Sequence, residues 1–256
     1  MSATGENLEA AGAGSLASAA MKRASPPAAP VAGPAMAFLV VEDQTMVREL
    51  LVLACRQAMP QAVVRAAGTG AEALRACREA IPDLIILDLV LPDGDGLDFL
   101  KQIFALAPSA KVIALSSHID EFMLHRALAS RVHGILDKNE QPLKVLHEAI
   151  ARVLAGQRYL SSLVQQLRAS VRADPAAFDK ILSEREQEVL RLVGDGLSNE
   201  QIAAQLSISA STAKHHRLNL MAKLDMHSTP QLIRYAIEKG FTRIADGRAR
   251  PRETER

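Results

Sequence analysis

Asp83-Leu84-Ile85-Ile86-Leu87-Asp88 is a run of four aliphatic residues held between two aspartates, and its composition decides the fold. Four such residues in succession suit a strand buried on both faces, the form that parallel sheets require. Reading outward, comparable apolar runs lie near 37–41, 62–66, 112–115 and 133–136. Between them are amphipathic stretches such as Val47, Leu50, Leu51, Ala54 and Leu97, Leu100, Phe104, spaced by three and four. This alternation predicts an α/β doubly wound five-stranded parallel sheet with helices on both faces.

Asp88 closes its run, and Glu42-Asp43 closes the earlier run Ala37-Phe38-Leu39-Val40-Val41. If the two runs are neighbouring strands, three carboxylates meet at the C-terminal edge of the sheet, where open α/β sheets place their ligands. That arrangement makes a magnesium site. Ser116 follows Val112-Ile113-Ala114-Leu115 and Lys138 follows the last run, so a hydroxyl and a cation should reach the same edge and favour a phosphoryl group on Asp88. Taken singly, these residues would be a cap, a helix start and a surface charge. The ordered set, with an apolar run before nearly every member, points to the site.

Length allows two domains, since 256 residues can bury two separate cores. Thirty basic against 29 acidic side chains leave a formal charge of +1, which gives the whole chain no field to steer it onto nucleic acid. Any such affinity must be local and helped by pairing of two copies. No stretch is long and apolar enough to span a bilayer. Cys55 and Cys77 have neither metal-ligand spacing nor a Cys-x-x-Cys pattern, and read as helix-packing thiols in a reducing cytoplasm. Residues 1–35, rich in Ala, Gly, Ser and Pro, are expected to be a disordered tail, as are 242–256. Lys22 and Arg23 follow the alanine-rich stretch, an order that a secretory signal does not have, and Met36 is a second possible start of translation.

The expected first domain spans 36–156. Residues 157–180, with Gln, Arg, Asp174 and Pro175 and weak periodicity, read as a partly helical linker. From 181 to 241 the pattern is helical, with explicit start signals. Ser183-Glu184-Arg185-Glu186 and Ser198-Asn199-Glu200-Gln201 are both capping boxes, and Gly194 and Gly196 separate the helices they open. Ser207-Ile208-Ser209 makes a short turn before a basic helix from about Ala210 to Leu224, in which Leu218, Leu220, Met221 and Leu224 read as core. Two short helices and a basic one describe a helix-turn-helix, and a fourth helix carries Leu232, Ile233, Ala236 and Ile237. Lys214, His215 and Arg217 lie in the amino-terminal half of the basic helix, the part that meets the major groove.

These residues together resemble a two-component response regulator of the NarL/FixJ type. Glu42-Asp43, Asp88, Pro92, Gly96, Ser116 and Lys138 resemble a receiver domain of flavodoxin-like fold. Leu182-Ser183-Glu184-Arg185-Glu186, Gly196-Leu197-Ser198-Asn199, Ile202-Ala203, Thr212-Ala213-Lys214-His215-His216, Asn219, Lys223 and Leu224 resemble an all-α, four-helix LuxR-type DNA-binding domain. The resemblance implies that Asp88 accepts a phosphoryl group from a sensor histidine kinase. Glu42, Asp43, Asp88 and the Val90 carbonyl would hold Mg²⁺, while Lys138 and Ser116 would bind phosphoryl oxygens. It implies base contacts from Lys214 and His215, a base, phosphate or packing role for His216, and phosphate contacts or caps from Thr212, Asn199 and Lys223. Ile135 stands where receivers commonly carry an aromatic switch residue, and a β-branched side chain is stiff and has no ring to turn.

The function so implied is a cytoplasmic DNA-binding transcription regulator, dimeric when active, which catalyses only its own phosphorylation and dephosphorylation. An alternative is a phosphate-sink or protein-interaction receiver whose regulation does not depend on Asp88. A magnesium-dependent phosphatase would need a second acid, and Asp93 and Asp95 read as turn residues.

Overall fold

The computed structural model describes residues 35–140 and 142–242, so most of both expected tails lies outside the described residues. In chain order the elements are β1 (Ala37–Val41), α1 (Thr45–Ala58), β2 (Val63–Ala67), α2 (Gly70–Glu79), β3 (Leu84–Asp88), β4 (Val90–Leu91), β5 (Gly94–Asp95), α3 (Gly96–Leu106), β6 (Lys111–Ser116), α4 (Glu121–Ala129), β7 (Gly134–Asp137) and α5 (Pro142–Leu154). There follow β8 (Tyr159–Leu160), α6 (Ser162–Ala173), α7 (Phe178–Ile181), α8 (Glu184–Gly194), α9 (Asn199–Leu206), α10 (Ala210–Lys223) and α11 (Thr229–Glu238). The main sheet is parallel in the order β2-β1-β3-β6-β7-β8. The switch in direction at β1 and β3 opens a crevice at their carboxyl ends.

Strand residues alternate between two cores. Leu39, Val41, Ile85, Leu87, Val112, Ala114 and Ile135 face α2, α3 and α4, whereas Phe38, Val40, Leu84, Ile86, Ile113, Leu115 and Leu136 face α1 and α5. The central strands β1, β3, β6 and β7 therefore carry apolar residues on both sides, because each of their faces meets helices.

The sheet has six strands in place of the five expected, and β4 and β5 form a separate small antiparallel ladder. The added strand, β8, and α6 both arise from the stretch expected as linker. Leu160, Val164 and Leu167, spaced by four and three, pack on the core formed with α2, α3 and α4, a stripe obscured in the sequence by the surrounding Gln and Arg. Two strand residues are too few to show alternation. The α6 amino end is tied back by Glu140, whose carboxylate accepts from the Ser162 N–H at 3.1 Å.

The carboxy-terminal helices enclose a third core of Phe178, Leu182, Val189, Leu190, Val193, Ile202, Leu220 and Leu232. Both expected capping boxes form, Ser183 with Glu186 and Ser198 with Gln201. Gly196 takes φ +80, the left-handed conformation that lets the chain leave α8 without a side-chain clash. No helix among the described residues is long and apolar enough to cross a membrane.

Candidate functional site

Parallel register brings the ends of β1 and β3 together, with Val41 opposite Leu87, so Glu42, Asp43 and Asp88 emerge side by side. Their carboxylate oxygens lie within 4.8 Å of one another. Glu42 and Asp88 are buried and Asp43 is half-buried. Lys138, just past β7, spans the two buried acids: its Nζ is 2.6 Å from Glu42 Oε2 and 2.8 Å from Asp88 Oδ2. Its own backbone N–H donates to the Ser116 carbonyl at 2.8 Å, which fixes the loop to the end of β6.

Burial pushes the Glu42 carboxyl above its ordinary 4.5 and the Asp88 carboxyl above its ordinary 3.8, against the opposing pull of Lys138. For Lys138, burial favours the neutral form, but Asp88 and Glu42 outweigh it and hold the ammonium above its ordinary 10.5. The two buried acids share the one Lys138 ammonium. The all-oxygen donor set and the raised carboxyls fit a second, hard cation such as Mg²⁺, which would relieve the excess negative charge.

Two further side chains shape this edge. Arg48 Nη1 donates to the carbonyls of Glu42 at 2.7 Å and Asp43 at 3.1 Å, so one guanidinium on α1 clamps the turn that carries both acids. Gly96 lets the start of α3 lie on the strand, because a Cβ there would overlap the Asp88 carbonyl oxygen. Ser116 is buried beside the cluster, and its hydroxyl donates to the His118 carbonyl at 2.7 Å. The Val90 N–H donates to Asp88 Oδ1 at 3.1 Å. Ile135 is buried within the sheet core, and Asp137 accepts from the Asn139 backbone N–H in a local turn. Asp93 and Asp95 are more than turn residues. Asp93 accepts from the backbone of Gly70 and Ala71 at the start of α2, and Asp95 caps α3 and pairs with Arg126 of α4.

The second group lies on α10. Lys214, His215 and Thr212 are exposed and His216 is half-buried. Arg217 instead turns inward: its Nη2 donates to the Leu197 carbonyl at 2.9 Å and its Nε is buried with no hydrogen-bond partner. Asn199 Oδ1, at the start of α9, is likewise buried and unpartnered. Lys223 pairs with the buried Glu186 carboxylate at 2.8 Å, tying α10 to α8. Leu218, expected in the core, is 50% exposed, because it lies on the side of α10 away from the buried Ala213 and Leu220. Arg48 escaped the sequence reading because an arginine early in a helix has no distinctive pattern.

Residues 38–151 match the response regulator receiver domain, and residues 180–236 match the bacterial regulatory proteins of the luxR family. The transcriptional activator protein ExaE of Pseudomonas putida is 34% identical over 214 residues, covering 82% of this chain and 100% of its own length. The oxygen regulatory protein NreC of Staphylococcus haemolyticus (strain JCSC1435) is 32% identical over 213 residues, covering 80% and 98%. Among solved structures, RcsB from Salmonella enterica serovar Typhimurium, bound to promoter rprA in the presence of phosphomimetic BeF3-, aligns with TM-score 0.58 and 25% identity over 78% of this chain and 98% of its own. An RcsB-DNA complex with TM-score 0.55 and 24% identity, covering 80% and 98%, shares the fold.

Proposed function

The chain belongs to the two-component response regulators of the NarL/FixJ type, and from that premise we propose that phosphorylation of Asp88 governs its binding to promoters. It is a DNA-binding transcription regulator whose partners are DNA and a sensor histidine kinase. The observation that carries the site assignment is the Lys138 ammonium held between Glu42 and Asp88 where three carboxylates converge.

An Asp88 carboxylate oxygen attacks the phosphorus of a kinase phosphohistidine, forming the acyl phosphate O–P bond as the P–N bond to imidazole breaks. Such transfer depends on positioning and charge neutralisation more than on covalent help. Glu42, Asp43, Asp88 and the Val90 carbonyl would hold Mg²⁺, which when bound supplies neutralisation of phosphoryl oxygens. Lys138 exchanges its contact with Glu42 for a phosphoryl oxygen, and Ser116 turns its hydroxyl from His118 toward another. The protein performs no further turnover chemistry. We place it in the cytoplasm, with a receiver that runs from 36 past the expected end at 156 to include β8 and α6, and a DNA-binding domain at 181–241.

The coupling runs through α4. Glu121 pairs with Lys239 at 2.7 Å, the Phe122 N–H donates to the Lys239 carbonyl at 3.1 Å, and the Phe122 ring stacks on Phe241 at 4.1 Å. One turn on, Arg126 binds Asp95 and Asp98 beside the β3–α3 segment. A phosphoryl group adds about −1.5 to −2 charge near that segment, enough to rearrange a loop and with it the helix it holds. With Ile135 buried and ringless, α4 itself is the moving element. Active protein pairs on two half-sites, and Lys214 and His215 enter the groove, with His216 and Thr212 beside them.

Genomic fragments selected by the purified protein with and without beryllofluoride and Mg²⁺, with Asp88→Asn as control, test this reading. Shared sites should be enriched with the mimic and lost in the variant. Enrichment that ignores the mimic would detach regulation from Asp88 and revive the protein-interaction alternative.

A further inference from the structure

At about 100° per residue, Ser211, Lys214, His215, Leu218 and Ala222 fall within an arc of roughly 100° on α10. All five are exposed, while Ala213 and Leu220 on the opposite side are buried. Leu218 sits inside that arc, flanked by Lys214 and His215. Exposed leucines are ordinary on protein surfaces. This one differs in position: among the described residues of the carboxy-terminal helices it is the only large hydrophobic side chain left exposed, and it lies on the face that carries the basic groups. Arg217 and Lys223, engaged by Leu197 and Glu186, are drawn away from that face. The central groove-facing chemistry of α10 is therefore one ammonium, one imidazole and one isobutyl group.

We propose that Leu218 is a specificity-determining residue that reads the C5-methyl group of a thymine in each half-site. The inference rests on the assignment of α10 as the helix that enters DNA. A leucine offers no hydrogen bond to a base edge, and the thymine methyl is the one apolar feature that the major groove presents. Leu218 lies about 12 Å along the helix from Ala210 by the rise of 1.5 Å per residue, close to the width of the groove of about 12 Å. A helix entering by its amino-terminal turns would still have Leu218 at the base edges. Against cytosine or guanine the same side chain would desolvate polar edges without replacing their partners, so it discriminates by loss as well as by gain.

Full-length protein is first used to select its preferred duplex from a random pool. Each thymidine of that duplex is then replaced in turn by deoxyuridine, which keeps the pairing and the O4 acceptor but lacks the methyl. One position per half-site should lose affinity by about fourfold, the change that about 0.8 kcal/mol per buried CH₂ corresponds to. Leu218→Ala should bind the parent duplex more weakly and be indifferent to deoxyuridine at that position, while Leu218→Met should keep part of the sensitivity. If no thymine methyl matters, or if Leu218→Ala retains the same sensitivity, the inference fails and the DNA-binding assignment stands. If wild-type protein selects no sequence, both fail.

Discussion

Lys138 is the residue on which the site turns. It donates to two acids brought together from strands separated by dozens of residues, and it occupies carboxylate oxygens that a metal ion would share. Lys138→Met should therefore bind Mg²⁺ about threefold or more tightly, because a competing cation has gone. The same variant should fail to accumulate the acyl phosphate. Titration of Mg²⁺ beside phosphotransfer from a kinase or small-molecule donor checks both, and weaker Mg²⁺ binding would mean that Lys138 organises the acids instead of competing for them. The identities of Glu42, Asp43, Asp88, Ser116 and Lys138 were legible in the sequence because each follows an apolar run. The Arg48 clamp was not, since its partners are backbone carbonyls, which every residue has.

At the scale of elements, the join between β6 and β7 carries a titratable bond. His133 Nδ1 accepts from the Val112 backbone N–H at 3.1 Å, which requires a neutral ring. Burial, reinforced by Lys111, Arg158 and Arg131, lowers its pKa below the ordinary 6.5. The unfolded chain thus takes up the proton first as pH falls. Stability from this bond is fully present above about pH 6.5 and is lost as pH drops from there through the lowered folded value. His133→Asn, which can still accept from Val112, should flatten the dependence of denaturation midpoint on pH below about 6.5. An unchanged slope would assign the acid sensitivity to other groups. Strand and helix positions were readable from apolar runs and capping boxes, both of which are local signals. The added β8 and α6 were not, because Leu160, Val164 and Leu167 acquire meaning only against the core they cover.

Across the whole molecule, α4 touches both the β5–α3 segment that follows Asp88 and the carboxy-terminal helical domain, while the exposed face of α10 stays open. Restraint of DNA binding would then come from holding the helices in one arrangement. Phe122→Ala removes the ring that stacks on Phe241, a contact of about 0.5–1.5 kcal/mol. Operator affinity of the unphosphorylated protein should rise by roughly threefold to tenfold, and that of the beryllofluoride form should hardly change. Equal gains in both states, measured by titration of the selected duplex, would take α4 out of the coupling. The two fold classes, and the residues expected to meet at the carboxyl ends of the strands, could be read from the chain alone, because periodicity, caps and strand ends are written within a few residues of one another. Which charges are engaged and which are presented is settled only by packing. Whether Lys138 bridges two acids, Lys223 is drawn onto Glu186 or Leu218 faces outward depends on solvent exclusion and on partners far away in the chain.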